Sequence, residues 1–195
     1  MLIAKSLPVL SVVAFLASAE SGTIPAPLVL SLFAAQATRI AVDPVLPPAT
    51  LRELWDSVTL VIHGIVEVQG APQATGVVTR RHTVRVVEVL KADTPAPPVV
   101  GVIQLGGNAV VQGQEISTEY QGPLLEAKDE VILFLIRTSS EGVYAMPHGA
   151  AALFVVDRNL RTVRIPAGSR QLFLDRQALP LAEFLGTVRK VKRDK

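Results

Sequence analysis

Residues 77–91 read VVTRRHTVRVVEVLK, one long strand with two apolar phases. Val84 and Val86 share the first phase, with Arg85 opposite. From Val87 onward, Val87 and Val89 carry the apolar side and Glu88 opposes them. The phase slips by one residue between Val86 and Val87. A β-bulge produces such a slip, and bulged strands turn the corners of barrels. This stretch predicts a mainly β chain whose sheet curls onto itself.

The flanking segments fit that architecture. Val58–Val68 alternates as a strand, with Val58, Leu60, Ile62, Gly64, Val66 and Val68 on one face. Gly64 inside it points to a bend or a close backbone approach. Residues 69–76 form a loop. Val99–Leu105 is a third strand, ending in Gly106-Gly107. Asn108–Ala127 is polar, with weak strand character. Val131–Ile136 is six apolar residues in a row, a strand covered on both faces. Val143–Met146 is short. Leu153–Val156 and Thr162–Ile165 make a hairpin around residues 157–161, with Asn159 suited to a left-handed conformation. Before the strands, Thr50 caps a short helix over Leu51–Ser57, with Glu53 at its third position. After them, Leu181, Phe184, Leu185, Val188 and Val191 recur at helical spacing. That stripe should seal one open side or end of the barrel. The predicted fold is a small closed or partly open antiparallel β-barrel with a short N-terminal helix and a C-terminal amphipathic helix.

Composition narrows the function classes. Of 195 residues, 49% are hydrophobic and 18% charged, which excludes a mainly disordered chain. There is no cysteine, so disulfides, thiolate metal sites, a Cys nucleophile and a lipid anchor through Cys are excluded. The formal net charge is only +2, too small for the whole chain to act as a polyanion binder. Residues 1–19, MLIAKSLPVLSVVAFLASA, combine an early Lys, an apolar run and small residues at Ala17-Ser18-Ala19. That is the pattern of a secretory signal peptide. A second apolar run ends at Ala35-Gln36-Ala37, so cleavage after 37 is the alternative. Residues 20–49 are then an apolar and Pro-rich linker, and 50–195 the barrel domain with its helix. The expected address is secreted or periplasmic, or membrane-tethered if the N-terminal segment stays uncleaved.

The run from Leu51 to Asp157 resembles a set of exported bacterial proteins. The resemblance rests on ordered pieces: Leu54-Trp55-Asp56-Ser57, Val61-Ile62-His63-Gly64, Val87-Glu88-Val89-Leu90-Lys91, Gly106-Gly107, and Lys128-Asp129-Glu130 before Leu133-Phe134-Leu135. Lys128-Asp129 stands where that pattern prefers a turn Gly. The resemblance implies a small barrel akin to the OB fold or the netrin/TIMP-like domain, and implies no activity. The inhibitory mechanism of TIMP-like barrels needs an N-terminal Cys, which this chain lacks.

Candidate chemistry is sparse. His63 and Glu67 are four residues apart on a strand, about 13 Å, too far for one metal on a straight strand. His82 lies among Arg80, Arg81 and Arg85, which disfavour a cation. His148 sits between Pro147 and Gly149 in a turn. No Gly-x-Ser-x-Gly stands in the chain. Gly106-Gly107 lacks the Lys-Ser/Thr and helix of a phosphate loop. The sequence thus predicts no catalytic residue, no cofactor and no metal site. Its candidate binding surface is Arg80, Arg81, Arg85 and Arg137. With nine aromatic residues, mostly in apolar runs, nucleic acid is not an expected partner. An envelope protein or polymer is. The functional expectation is an exported, non-catalytic binding or envelope-associated module. The alternatives are an inhibitor or scaffold for another secreted protein, working through loops such as Asn108–Ala127, and a cryptic hydrolase. A cleft gathering two carboxylates or a Ser–His pair would favour the hydrolase.

Overall fold

The computed structural model describes residues 38–40, 48–119 and 122–193. The expected signal segment 1–19, both candidate cleavage points and most of the 20–49 stretch expected as a linker lie outside the described residues. In chain order the elements are β1 (Thr38–Ile40), α1 (Leu51–Asp56), β2 (Leu60–Val68), β3 (Pro72–Ala74), β4 (Val78–Ala92), β5 (Val99–Leu105), β6 (Gly107–Val111), β7 (Gln114–Thr118), β8 (Glu130–Arg137) and β9 (Val143–Ala145). A short 3-10 turn (Gly149–Ala152), β10 (Leu153–Asp157), β11 (Thr162–Arg164), a 3-10 helix (Ala167–Phe173), β12 (Ala178–Pro180) and α2 (Leu181–Arg193) follow.

Five strands close into a ring in the order β8-β2-β4-β5-β9 and back to β8. All neighbours are antiparallel except β5 and β9, which run parallel. The fold is therefore a small OB-like barrel. One edge of β8 is shared. Its first half pairs with β10, and Ile136 and Arg137 pair with β9. From β8 the sheet continues outward through β10, β11 and β12. A separate three-stranded sheet holds β1, β7 and β6, with β1 parallel to β7. The turn of the β6–β7 hairpin is Gln112-Gly113, both at positive φ, as a two-residue turn between twisted strands requires.

The long strand bends where its phase slips. Val86 pairs with Gly64 and Glu88 with His63, so Val87 is the extra residue between them. A second extra residue, Leu90, falls between Val89 and Lys91. On the partner strand Glu67 is skipped in the same way. Gly64 lies opposite this bend. A Cβ there would sit 2.7 Å from Val84 Cγ1 and 2.9 Å from the Arg85 carbonyl oxygen, so the strands close up only because Gly has none.

The alternation of β8 divides the interior in two. Val131, Leu133 and Leu135 point into the barrel with Leu60, Ile62, Val66, Val84, Val100 and Val102. Ile132 and Phe134 point outward, to a second core built with Val61, Phe154, Val156 and Val163. That core is closed by Leu54 and Trp55 of α1, by Phe173, and by Leu181, Phe184 and Val188 of α2. Val131–Leu135 are therefore buried on both faces, as the sequence predicts, and Ile136 is partly buried.

Other expectations need correction. The 69–76 segment contains strand β3, paired with β4. Residues 107–118 form a full hairpin. In the β10–β11 turn the left-handed residue is Arg161, not Asn159, because Asp157 accepts the backbone N–H of both Asn159 and Leu160 and draws the turn tight. Pro180 ends β12, and α2 begins at Leu181. Finally, α2 does not plug a barrel opening. It lies on the outer wall, because β10–β12 leave a second apolar layer there to cover. Among the described residues, no helix is long and apolar enough to cross a membrane.

Candidate binding face

The barrel wall is unequally covered. Its β2–β8–β10 side carries both helices, which also reach the second half of β4 at Glu88 and Leu90, whereas among the described residues the outward side of the Thr79–Arg85 half of β4, paired with β5, meets no helix. Alternation along β4 sends Val78, His82 and Val84 inward and Arg81 and Arg85 outward. The register then sets Arg81 opposite Ile103, Thr83 opposite Gly101 and Arg85 opposite Val99. Leu105 extends the row, opposite Thr79. Val99 keeps 42% of its surface and Leu105 36%, high for strand residues of a packed barrel. The two arginines are four residues apart, about 13 Å along the strand. Arg85 is engaged: its Nε donates to Glu67 Oε1 at 2.9 Å. Arg81 has no ion-pair partner among the described residues. Its guanidinium lies over Gly101, where a Cβ would approach Nε to 3.0 Å. The glycine opposite Thr83 thus makes room for the flat guanidinium to rest on the sheet.

Of the four arginines singled out in the sequence, the structure brings only Arg81 and Arg85 onto one face. Arg80 falls in the inward phase and packs over Gly107. Arg137 ends β8, which is not a neighbour of β4, and pairs in register with Tyr144. The strand alternation separates Arg80 from Arg81 however near they are in sequence.

Behind this face the barrel interior is polar at one end. His82 and Gln104 are fully buried and Thr118 nearly so. Gln104 clamps the 123–125 segment: its Nε2 donates to the Pro123 carbonyl and its Oε1 accepts from Leu125 N. Thr118 Oγ1 accepts from Val78 N at 2.7 Å, fixing the β6–β7 hairpin to the start of β4. His82 Nδ1 accepts from Gly70 N. Burial, and then the charge of Arg80, hold the His82 imidazole below its ordinary value, against Gln104 and Asp129.

Two side-chain groupings escape a sequence reading. His63 Nε2 lies 2.7 Å from Glu130 Oε1, with Arg158 Nε 3.1 Å from Glu130 Oε2 and Arg161 3.9 Å away. His63 and Glu130 are both buried. His63 therefore faces Glu130 across the sheet and not Glu67 on its own strand. The one local hint is a carboxylate heading an otherwise apolar strand. The second grouping is a Ser–His pair: Ser57 Oγ stands 3.0 Å from His148 Nε2. Ninety-one residues separate them, so no spacing announces the pair. Its geometry is that of a cap. Ser57 Oγ donates its one proton to the Leu54 carbonyl at 2.9 Å, which leaves His148 Nε2 to donate to Ser57. His148 Nδ1 is buried with no partner among the described residues, so no carboxylate orients the ring as a triad would. Among the described residues no three His, Asp or Glu gather as a metal would need.

Compared with known proteins, the chain matches no family model, no curated protein and no solved structure.

Proposed function

We propose that this chain is an exported, non-catalytic module that binds another envelope protein through the outward face of β4 and β5. The observation that supports the reading is the unequal covering of one barrel: helices bury the β2–β8 side, while Arg81, Val99 and Leu105 stay exposed in a row with half-buried Ile103. Arginine flanked by aliphatic side chains on a rigid sheet is the composition of an interface anchor. A guanidinium with no ion-pair partner among the described residues and an apolar surround suits an extended polypeptide carrying a carboxylate. In OB-like barrels the second and third barrel strands form the usual ligand face, and here those strands are β4 and β5. Export rests on the 1–19 segment.

The test uses wild type and an Arg81→Glu/Leu105→Asp variant as baits on solubilised native envelope. The reading expects a discrete polypeptide retained by wild type and released by the variant, with both proteins melting alike. Equal retention by both baits would overturn it.

A further inference from the structure

The connection that leads from β2 into β3 is tied to β4 beside His82. None of residues 69–76 is buried, and β3 adds three register pairs, one of them at Pro72, which has no N–H to give. Little apolar area holds this segment, the mark of a unit that opens at low cost. Its tie is Gly70. A Cβ there would run into the Arg81 carbonyl, so the Gly70 backbone lies directly against the β4 peptide. Gly70 N donates to His82 Nδ1 at 3.4 Å. That bond fixes the tautomer. Because Nδ1 accepts, the single proton of the neutral ring is on Nε2, which is buried without a partner among the described residues. A second proton must go on Nδ1. It would then face the Gly70 N–H, donor against donor, on a fully buried ring. The surrounding charges do not remove the conflict. Arg80, in the same phase of β4, opposes an imidazolium, while Asp129 in the turn before β8 and the neutral Gln104 of β5 favour it; burial and Arg80 outweigh them. Residues 69–76 carry no titratable side chain, so the segment has no pH sensor of its own.

We propose that His82 is an acid-operated latch: a solvent proton taken on Nδ1 breaks its bond to Gly70, and residues 69–74 leave β4 while the barrel stays closed. The ring tolerates this because it is built from β2, β4, β5, β8 and β9, without β3. Release frees the Arg81 peptide from Gly70 and bares the β4 edge at Val78–Arg80. The latch stands whether or not the β4–β5 face binds a partner.

The experiment is hydrogen exchange of the full chain between pH 7 and pH 5, corrected for the intrinsic pH dependence of free amides, with His82→Gln beside wild type. Below pH 6.5, opening of the 69–76 amides in wild type should rise by up to about tenfold per pH unit, the slope of one proton, until the closed form titrates too. Amides of β8 should stay protected throughout. The glutamine can accept from Gly70 N at every pH, so in the variant the 69–76 amides should show no such rise. A second measurement needs no variant: in wild type labelled with ¹⁵N, the His82 imidazole and the Gly70 amide should titrate with one shared midpoint below 6.5. The proposal is overturned by 69–76 amides that ignore pH in wild type, by an equal rise in His82→Gln, by loss of β8 protection in step with 69–76, or by separate midpoints for His82 and Gly70.

Discussion

Phe184 shows what a single side chain holds in place. It is fully buried, with ring centroids 4.9 Å from Phe154 and 5.0 Å from Phe173. Truncation loses both transfer energy and packing, so Phe184→Ala should cost about 3–5 kcal/mol in a denaturant melt. The helical spacing of the sequence already exposes this residue as a core position; its aromatic partners, from β10 and a 3-10 helix, do not follow from spacing. His82 gives a pH prediction. Its folded value lies below the ordinary 6.5, so above 6.5 it is neutral in both states and adds no pH dependence. As pH falls below 6.5, the unfolded chain takes the proton before the folded one does. Stability should therefore drop from pH 6.5 downward, levelling once the folded imidazole also titrates. Melts of wild type and His82→Gln between pH 7 and 5 check this: the variant should show the shallower decline. Breaking the His63–Glu130 pair is a third residue-scale case. Glu130→Gln removes the carboxylate that His63 and half-exposed Arg158 share, and about 1–2 kcal/mol of stability should be lost.

At the scale of elements, the turn before β8 carries a local conflict. Lys128 sits at φ 75°, where an L side chain is strained, and its N–H is fixed to Val66 O. Lys128→Gly should relieve a left-handed cost of roughly 1–2 kcal/mol and lose part of it to unfolded-state freedom. A net gain of about 0.5–1 kcal/mol in a urea melt is expected. The strands themselves were legible in the sequence wherever periodicity was strong. β2, β4, β5, β8 and α2 stand within a few residues of their predicted bounds, and the phase slip marks the bulge at Val87. Shorter elements were not, for a physical reason. β3 and β12 have three residues each, too few for a period, and exist because a longer neighbour offers them an edge. The second bulge at Leu90 is hidden as well, because two apolar residues side by side do not reveal which one the partner strand skips.

For the whole molecule, closure is the decisive event. A ring of five strands uses up the sheet edges, and the extra strands β10–β12 create a second apolar layer that the helices must cover. Covering one side leaves the other, and with it the β4–β5 face. A linear reading grouped Arg80, Arg81, Arg85 and Arg137 by charge. Closure keeps Arg81 and Arg85 together, turns Arg80 inward and carries Arg137 to another strand, because membership of a face depends on phase and ring order, which charge alone does not encode. The claim that matters most is that the uncovered side is the working side. Site-specific photo-cross-linking in the native envelope tests it most directly, with a photoreactive residue at Ile103 and, for reference, at exposed Arg164 of β11. The account predicts a discrete polypeptide adduct from position 103 and none from position 164. Adducts from both positions alike, or from neither, would contradict it.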